Sequence, residues 1–311
     1  MDKLDTQLKF NADGKFKIVQ FTDVHYCDSG QKDKKTIKLM NMVLDTEKPD
    51  LVVFTGDTVY GDENAKVLPE ALSPVINANV PWAVVFGNHD VEWGSPKEDL
   101  MSVMQKLPRC LTKAGPANVS GLGNYYLEVH TNGEKNAPWI LYLIDSGMYN
   151  SNHIIEGYDY IKRDQIEWYA RTSKELGEKY GNFPALCFFH TPIPEYNEVW
   201  NYEICYGEKN EGVCCPKQNS GMFSAMVEMG DVKGVFVGHD HINDYWGELY
   251  GIKLFYGRGT GYNTYIKRGF AHGARIIELN EKDQNFVTWM VLDNGEVIKD
   301  QPKHKPRFKR D

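Results

Sequence analysis

Five short apolar stretches of this chain run directly into residues that can bind a metal ion or transfer a proton. Residues 16–21, 51–54, 82–86, 186–189 and 235–237 are rich in β-branched and aromatic side chains, which is typical of buried strands. The segments that follow them are Asp23-Val-His25, Gly56-Asp57, Gly87-Asn88-His89-Asp90, His190 and Gly238-His239-Asp240-His241. In α/β sheets, ligands bind beyond the carboxyl ends of the strands. We therefore expect these segments to meet at one site, with turn glycines that allow tight bends.

The patterns between and after these strands predict an α/β fold. Residues 36–47 and 163–178 place apolar side chains at helical spacing, and residues 65–76 form a weaker helix candidate because Pro69 and Pro74 interrupt it. Further strands are predicted at residues 140–144, 245–249, 252–256, 275–279 and 286–292. Early β-α-β units followed by a run of strands predict a mixed sheet or two packed sheets with outer helices.

The segments that should converge lie between residues 23 and 241, so we predict a single domain over residues 1–298. Residues 299–311 carry six Lys or Arg and two Asp, and a solvated basic tail is a simpler prediction for them than a contact with an acidic partner or a membrane. The whole chain has a formal net charge of -8. An acidic body argues against binding to nucleic acid.

Sequence signals for the compartment leave two options. No window approaches the ~20 apolar residues of a transmembrane helix, and the first ten residues lack the apolar core of a signal peptide. We expect a cytoplasmic protein if Met1 is the natural start, and a secreted or vacuolar one if a signal peptide has been removed.

Cys187 is predicted to be a buried thiol, whereas Cys205, Cys214 and Cys215 could form a bridge in an oxidising compartment.

The candidate metal ligands share a chemistry. They are Asp23, His25, Asp57, Asn88, His190, His239 and His241. Two carboxylates, one amide oxygen and four imidazoles suit zinc, manganese or iron better than calcium or magnesium. Seven groups exceed what one ion normally accepts, so we predict two ions that share a bridging carboxylate. Two metals about 3.5–4 Å apart can clamp a phosphate and lower the pKa of a bridging water.

This series of motifs resembles that of the calcineurin-like metallophosphoesterases, and more narrowly their small purple-acid-phosphatase-like branch. The matching stretches are FKIVQFTDVH, EKPDLVVFTGD, VPWAVVFGNHD, NSGMFSAMVEMGDVKGVFVGHDHIND and FYGRGTGYNTY. The resemblance implies a four-layer α/β/β/α sandwich with two packed mixed β-sheets. It also implies two metal ions, iron with a second iron, zinc or manganese.

The resemblance assigns each ligand candidate to an ion. It implies that Asp23, His25, Asp57 and His241 hold the first ion. Asp57 would bridge to the second ion, which Asn88, His190 and His239 would complete.

Three further residues of these segments have expected roles. The resemblance implies that His89 binds no metal and faces the substrate, where it stabilises the phosphoryl oxygens or protonates the leaving group. The alternative is that His89 only hydrogen-bonds its own loop. Asp90 is expected to orient the turn, and Asp240 to point away from the metals because successive side chains alternate.

Tyr60 is the position at which the family pattern divides. Gly56-Asp57-Thr-Val-Tyr60 matches the Gly-Asp-x-x-Tyr of true purple acid phosphatases, whose tyrosinate binds ferric iron. Those enzymes usually carry Gly where this chain has His25, and some relatives without the tyrosine are described as inactive. We predict that His25 coordinates the first metal and that Tyr60 either adds a ligand or packs beside the metal.

Fewer signals identify the substrate-binding residues. Asn219 precedes the last helix–strand unit and Arg258 opens a Gly-rich loop. Either could reach a phosphate, although a turn or surface role is the simpler explanation for each. Tyr149, Tyr196 and Trp200 follow strands near the predicted site and could form a pocket wall.

These features predict a phosphatase that hydrolyses phosphate monoesters by attack of a metal-bound hydroxide, on a phosphorylated small molecule or a phosphoprotein. Two alternatives use the same site. A phosphodiesterase is one, although the acidic body disfavours nucleic-acid ends as its substrate. A metal-binding protein that has lost catalysis is the other, and the complete ligand set and His89 argue against it.

Overall fold

A computed structural model describes residues 7–132, 137–152 and 154–308 of the chain. In chain order the strands of these residues are β1 (Leu8–Lys9), β2 (Lys15–Phe21), β3 (Leu51–Thr55), β4 (Trp82–Val85), β5 (Tyr125–His130), β6 (Trp139–Leu143), β7 (Ala185–Phe188), β8 (Cys205–Tyr206), β9 (Val232–Val237), β10 (Trp246–Leu249), β11 (Ile252–Tyr256), β12 (Gly273–Asn280), β13 (Phe286–Leu292), β14 (Val297–Ile298) and β15 (Lys303–His304). The helices are α1 (Gln31–Glu47), α2 (Asn64–Ala71), α3 (Ser73–Asn77), α4 (Lys97–Met104), α5 (Arg163–Tyr180), α6 (Glu195–Tyr202) and α7 (Met222–Met229).

The strands form two mixed sheets, each with a block of neighbouring parallel strands. The six-stranded sheet has the order β14-β13-β12-β2-β3-β4, in which β2, β3 and β4 are parallel. The nine-stranded sheet has the order β1-β5-β6-β7-β9-β11-β10-β8-β15, in which β6, β7, β9 and β11 are parallel. Helices connect β2 to β3, β3 to β4, β6 to β7 and β7 to β9, whereas β10 leads from β9 to β11. The carboxyl ends within each parallel block therefore lie along one edge.

Alternating side chains on β2 show how the layers pack. Ile18 packs into the apolar cluster between the two sheets, whereas Val19 packs with Met40 of α1 on the outer face. Burial on both faces explains why the sequences of the central strands are nearly continuous apolar runs. Each buried apolar side chain stabilises the folded state by about 1.5–3 kcal/mol through its removal from water. A third cluster joins α5, α6 and α7 to the outer face of the nine-stranded sheet. The predicted four-layer α/β/β/α sandwich is confirmed.

Helix α1 begins five residues before the predicted start at residue 36, because its first turn is polar and carries no apolar periodicity. It ends at Glu47, and the next residue, Lys48, has a left-handed backbone (φ 47°) and precedes Pro49. The helix predicted at residues 65–76 is instead two helices, α2 and α3. They meet at Leu72, and Pro74 lies in the first turn of α3, where its missing N–H costs nothing.

Strand β5 and helices α4 and α6 have no counterpart in the predicted elements. β5 pairs antiparallel with β6. Its residues alternate between buried and half-buried over six positions, so it has no continuous apolar run of the kind that identifies the other strands.

No helix of the described residues is both long enough and apolar enough to cross a bilayer. All six cysteines are free thiols, Cys187 is buried as predicted, and no bridge joins Cys205, Cys214 or Cys215.

Most of residues 299–308, the described part of the predicted tail, are exposed, but the segment is docked on the fold and is not a free end. Lys303 and His304 form β15, which pairs antiparallel with Tyr206 and Cys205 of β8 at the edge of the nine-stranded sheet. The His304 ring stacks on Trp200 with centroids 3.7 Å apart and planes 7° from parallel. Backbone pairing and this stack fix a segment whose composition is typical of a solvated end.

We expect His304→Ala to lower the free energy of unfolding by about 1 kcal/mol, because it removes an aromatic stack. Urea unfolding measures the change. Lys305→Ala alters the exposed neighbouring residue and should have no effect. Equal stability of both variants would show that this segment does not stabilise the fold.

Candidate metal centre

The predicted ligand side chains converge where the carboxyl ends of the two parallel blocks meet. All seven are buried, namely Asp23, His25, Asp57, Asn88, His190, His239 and His241. Withdrawing four imidazoles and two carboxylates from water is costly unless they are paired or bind an ion. The site therefore requires a compensating interaction.

Four of these side chains form a first group. One ligand atom from each of Asp23, His25, Asp57 and His241 lies within 4.8 Å of the others. Nε2 of His25 is 3.4 Å from Oδ2 of Asp57, and Nε2 of His241 is 3.5 Å from Oδ1 of Asp23. Two oxygens and two nitrogens form a donor set that suits borderline transition metals.

Asp57 also belongs to a second group, with His190 and His239. Nε2 of His190 lies 3.1 Å from Oδ2 of Asp57 and 3.1 Å from Nδ1 of His239. The same Nε2 is 3.2 Å from Oδ1 of Asn88. One carboxylate, that of Asp57, is thus common to both groups.

The hydrogen bonds of the described residues do not satisfy this site. Nε2 of His25 and Oδ2 of Asp57 are buried without a hydrogen-bond partner among those residues. Each unpaired buried polar atom costs about 1–3 kcal/mol. Cations between the lone pairs of these atoms would remove that cost, so the donor set fits two metal ions.

The backbone at the site has a conformation that side chains rarely adopt. The φ angle is 53° at Asp23, 47° at His25, 51° at Asp57 and 77° at His239. A non-glycine residue in this left-handed region costs of order 1–3 kcal/mol and persists where the surrounding structure fixes it, often at functional sites. Four ligand candidates with this strain mark the site independently of their side-chain chemistry.

Two glycines leave room for the ligand candidates. A Cβ at Gly87 would lie 2.2 Å from Oδ1 and 2.5 Å from the backbone nitrogen of Asp57. Gly56 has a φ of 86°, and a Cβ there would lie 2.4 Å from Nδ1 of His190. Close approach therefore requires glycine at both positions.

Asp90 orients the turn as predicted. Its carboxylate accepts hydrogen bonds from the backbone N–H groups of Asp57 (3.0 Å), Val59 (2.9 Å) and Gly87 (2.8 Å). Asp240 turns away from both groups and accepts hydrogen bonds from the Cys214 N–H and the Tyr256 hydroxyl. Both carboxylates support loops.

Neighbouring groups also fix the tautomer and orientation of individual ligand candidates. Nδ1–H of His190 donates to the Thr55 carbonyl at 2.8 Å, which leaves the Nε2 lone pair directed into the second group. The Thr22 hydroxyl donates to Oδ2 of Asp23 at 2.9 Å. The backbone N–H of His239 donates to Oδ1 of the same carboxylate at 3.0 Å.

Burial and mutual charge shift the pKa values of the site in opposite directions. Burial opposes ionisation of Asp57, but the nearby His190 and His25 imidazoles outweigh it and hold the Asp57 pKa well below its ordinary value. Burial lowers the pKa of His190, but Asp57 outweighs it and raises that pKa to about 9. Burial raises the pKa of Asp23 to about 7. Metal binding at neutral pH must therefore displace protons.

His89 lies beside the first group. Its ring centroid is 5.0 Å from that of His25, and its backbone N–H donates to Oδ1 of Asp57 at 2.8 Å. Its Nδ1 pairs with the carboxylate of Glu92, which also accepts a hydrogen bond from the Tyr149 hydroxyl at 2.8 Å. Because Nδ1 is engaged, Nε2 is the nitrogen left to meet a substrate.

Glu92 is absent from the sequence-based candidates. It follows a single 3-10 turn (His89–Val91), which brings its carboxylate back to His89 three positions earlier. An acidic residue at i+3 from a histidine in a helical turn is the signal that could have identified it.

Tyr60 packs against the rings of the site. Its ring stacks on His25 with centroids 5.6 Å apart and an interplanar angle of 29°. Its edge contacts His89 at 5.4 Å and Trp93 at 5.1 Å. Of the two roles predicted for Tyr60, these contacts support packing beside the first group of ligand candidates.

The two candidates for phosphate contact are engaged elsewhere. Arg258 is buried, its guanidinium pairs with Asp244, and its Nε donates to the Ala271 carbonyl at 2.7 Å. Of the turn and surface roles expected for Arg258, its burial excludes the surface role, and a charged partner compensates that burial. Asn219 donates to Oε1 of Glu195 at 2.7 Å and accepts from the Gly221 N–H, which is the predicted turn role.

Two of the three predicted wall residues lie in the outer layer and not at the site. Tyr196 is fully buried, and its hydroxyl donates to the carbonyl of Phe255 at 3.0 Å. Trp200 packs on Tyr245 and His304. Tyr149 does lie at the site, through its hydrogen bond to Glu92.

Comparison with known proteins gives a consistent result. The profile of the family described as "Calcineurin-like phosphoesterase" matches residues 16–243. The "Probable inactive purple acid phosphatase 29" of Arabidopsis thaliana is 36% identical over 330 residues, which cover 93% of this chain and 85% of the relative. "Phosphatase DCR2" of Saccharomyces cerevisiae is 35% identical over 93% of this chain and 56% of its own length.

A solved structure shows the same fold. The dimetal phosphatase from Danio rerio superposes with a TM-score of 0.58 over 88% of this chain and 98% of its own. It is 13% identical in sequence, so this likeness concerns the fold alone.

We expect Gly87→Ala to disrupt the metal centre, because the new methyl group would overlap Asp57. Overpacking of this kind costs about 1–3 kcal/mol, and metal bound per chain, measured by atomic absorption, should fall. Gly177→Ala is the matched control, since a Cβ at this position of α5 meets nothing within 4 Å. Unchanged metal content in Gly87→Ala would contradict the geometry.

Proposed function

Because the chain belongs to the calcineurin-like phosphoesterase family, we propose that it is a two-metal phosphatase that hydrolyses phosphate monoesters. The observation that supports this most directly is the sharing of the Asp57 carboxylate by two buried groups of ligand candidates. A bridging carboxylate keeps two ions close enough to act on one phosphate.

In this proposal Asp23, His25, Asp57 and His241 hold one ion, and Asn88, His190 and His239 hold the other together with Asp57. Iron with a second iron, zinc or manganese is the proposed pair. When bound, the ions neutralise phosphate charge and activate water. The chain itself supplies orientation, since the Asp90 hydrogen bonds and the Thr55 carbonyl fix the ligands before any ion binds.

His89 is the proposed proton donor to the leaving oxygen. Its side chain is 26% exposed, unlike the buried ligand candidates, so part of the ring is open to a substrate. Glu92 at Nδ1 keeps the ring in place and stabilises the imidazolium that carries the transferred proton. Glu92 acts through His89 and is therefore a positioning residue.

A metal-binding protein without catalysis is the second candidate, because the Arabidopsis relative is named as an inactive phosphatase. A catalytically silent site has no need for a partly exposed histidine that is oriented by a carboxylate. The His89–Glu92–Tyr149 arrangement therefore favours the enzyme.

Hydrolysis of p-nitrophenyl phosphate and of its bis-ester, with metal supplied, tests the proposal. We expect the monoester to be the better substrate. We also expect His89→Ala to lower turnover by about 10²–10⁴ with unchanged metal content, and His130→Ala, at a histidine outside the site, to have no effect. A bis-ester that reacts hundreds of times faster would indicate a diesterase, and full activity in His89→Ala would remove the assigned role.

Tyr60→Phe should leave the visible spectrum of an iron-loaded sample unchanged, because Tyr60 packs on His25 and His25 is the proposed ligand. His25→Ala should lower the amount of bound metal. A strong visible absorption that disappears in Tyr60→Phe would instead identify Tyr60 as a tyrosinate ligand. Absorption spectra and metal analysis on the same samples separate these results.

A further inference from the structure

We propose that the substrate's esterified group is an uncharged aromatic ring that binds in an aromatic rim around the metal centre. The aromatic rim consists of Tyr60, Trp93, Tyr149, Tyr158 and Tyr265. This inference rests on the proposed function and names the substrate class of the same site. That class is the aryl phosphate monoesters, which include a phosphotyrosyl side chain.

One side of the rim adjoins the first group of ligand candidates. The Trp93 ring lies nearly parallel to that of His89, with centroids 6.1 Å apart and planes at 15°. Trp93 is 44% exposed, so part of a large apolar ring faces solvent directly beside the proposed proton donor. Tyr60 fills the space between Trp93 and His25.

The other side of the rim adjoins the second group and His241. Tyr158 meets His239 edge to face at 4.2 Å, and Tyr149 stacks on Tyr158 at 5.7 Å. The ring of Tyr265 is 4.3 Å from that of His241. Tyr149 is 42% exposed and Tyr265 is 52% exposed. Aromatic rings thus contact imidazoles of both groups.

Hydrogen bonds hold two of the exposed rings in place. The Tyr149 hydroxyl donates to Oε1 of Glu92 at 2.8 Å, and the Tyr265 hydroxyl donates to Oε2 of Glu211 at 2.5 Å. Because carboxylates of the protein engage both hydroxyl groups, the rings themselves are the surface offered to a ligand. Rings that are already ordered lose little conformational entropy on binding.

The position of the rim limits where the aromatic group of the substrate can be. Trp93 and Tyr60 contact His89 itself, so they lie next to the group bonded directly to the phosphoryl oxygen. A base that is separated from its phosphate by a sugar would lie beyond them. The carboxylates of Glu92 and Glu211 also disfavour a second anionic group near the rim, so the substrate carries a single phosphate.

Exposed aromatic side chains are common on protein surfaces, and this chain has others. Tyr250, for example, is 64% exposed and contacts Phe223 of the outer layer. What distinguishes the rim is its ring contact with the imidazoles of the site. Tyr250 therefore serves as a control position.

Steady-state kinetics with phenyl phosphate and glycerol 2-phosphate test the rim. We expect Trp93→Ala to lower kcat/KM for phenyl phosphate about tenfold. A loss of this size is typical when one aromatic contact and the area it buries are removed. The value for glycerol 2-phosphate should stay within about twofold. Each variant is compared with the wild type on the same substrate, so the different leaving groups cancel. Trp93→Phe should restore most of the loss, and Tyr250→Ala should cause none.

Calorimetry of the metal-loaded protein with phenylphosphonate and methylphosphonate provides a second measurement that needs no turnover. We expect the wild type to bind phenylphosphonate about tenfold more tightly and Trp93→Ala to lose this preference. No preference in the wild type overturns the proposal even if Trp93→Ala does not fold. Equal losses of kcat/KM for both esters in Trp93→Ala also overturn it.

These measurements also separate the rim from the proposed function. A wild-type protein that binds phenylphosphonate preferentially but hydrolyses no ester would refute the phosphatase and support the rim. A wild-type protein that hydrolyses both esters without the Trp93-dependent difference would support the phosphatase and refute the rim.

Discussion

The carboxylate of Asp57 lies where the two groups of ligand candidates meet, and the surrounding loops are built around it. Gly87 has no side chain because any Cβ would overlap this residue, and Asp90 holds its backbone N–H. His89 reaches its position through a backbone hydrogen bond to the same carboxylate. The charge that keeps Asp57 ionised comes from His190 and His25. Both groups of ligand candidates, the loop geometry and the placement of His89 therefore all depend on one side chain.

A sandwich of two sheets suits such a site because each sheet has its own block of parallel strands, whose carboxyl ends carry the ligand candidates. The ends of β2, β3 and β4 supply Asp23, His25, Asp57 and Asn88, and those of β7 and β9 supply the other three histidines. The apolar cluster between the sheets fixes the separation of these ends, since closely packed interiors deform little. It also excludes water from one side of the site, which strengthens every electrostatic interaction there.

The parts that the sequence predicts are those with a local signature. Apolar runs that end in Asp, Asn or His identify the strands and the side chains that converge, and burial on both faces makes β2 and β3 easy to recognise. Glu92 and the ion pair of Arg258 with Asp244 escape prediction because they depend on how loops fold back. The docking of residues 303–304 cannot be predicted for another reason. Pairing at a sheet edge joins backbone groups that every residue has, so the side-chain sequence carries no signal for it. The break at Leu72 depends on how the first turn of α3 uses Pro74.

Charge reconciles an acidic protein with the proposed action on phosphate and with the proposed selection among phosphates. The chain has a net charge of -8, and its surface repels polyanions. Two ions of charge two or three would add about +4 or +5 at one point, so attraction is confined to the centre between Asp23, Asp57 and the histidines. Around that point the structure offers aromatic rings and the carboxylates of Glu92 and Glu211 in place of further cations. A ligand with one phosphate and an apolar body meets attraction at both ends, whereas a ligand with several phosphates meets it at one end and repulsion at the other.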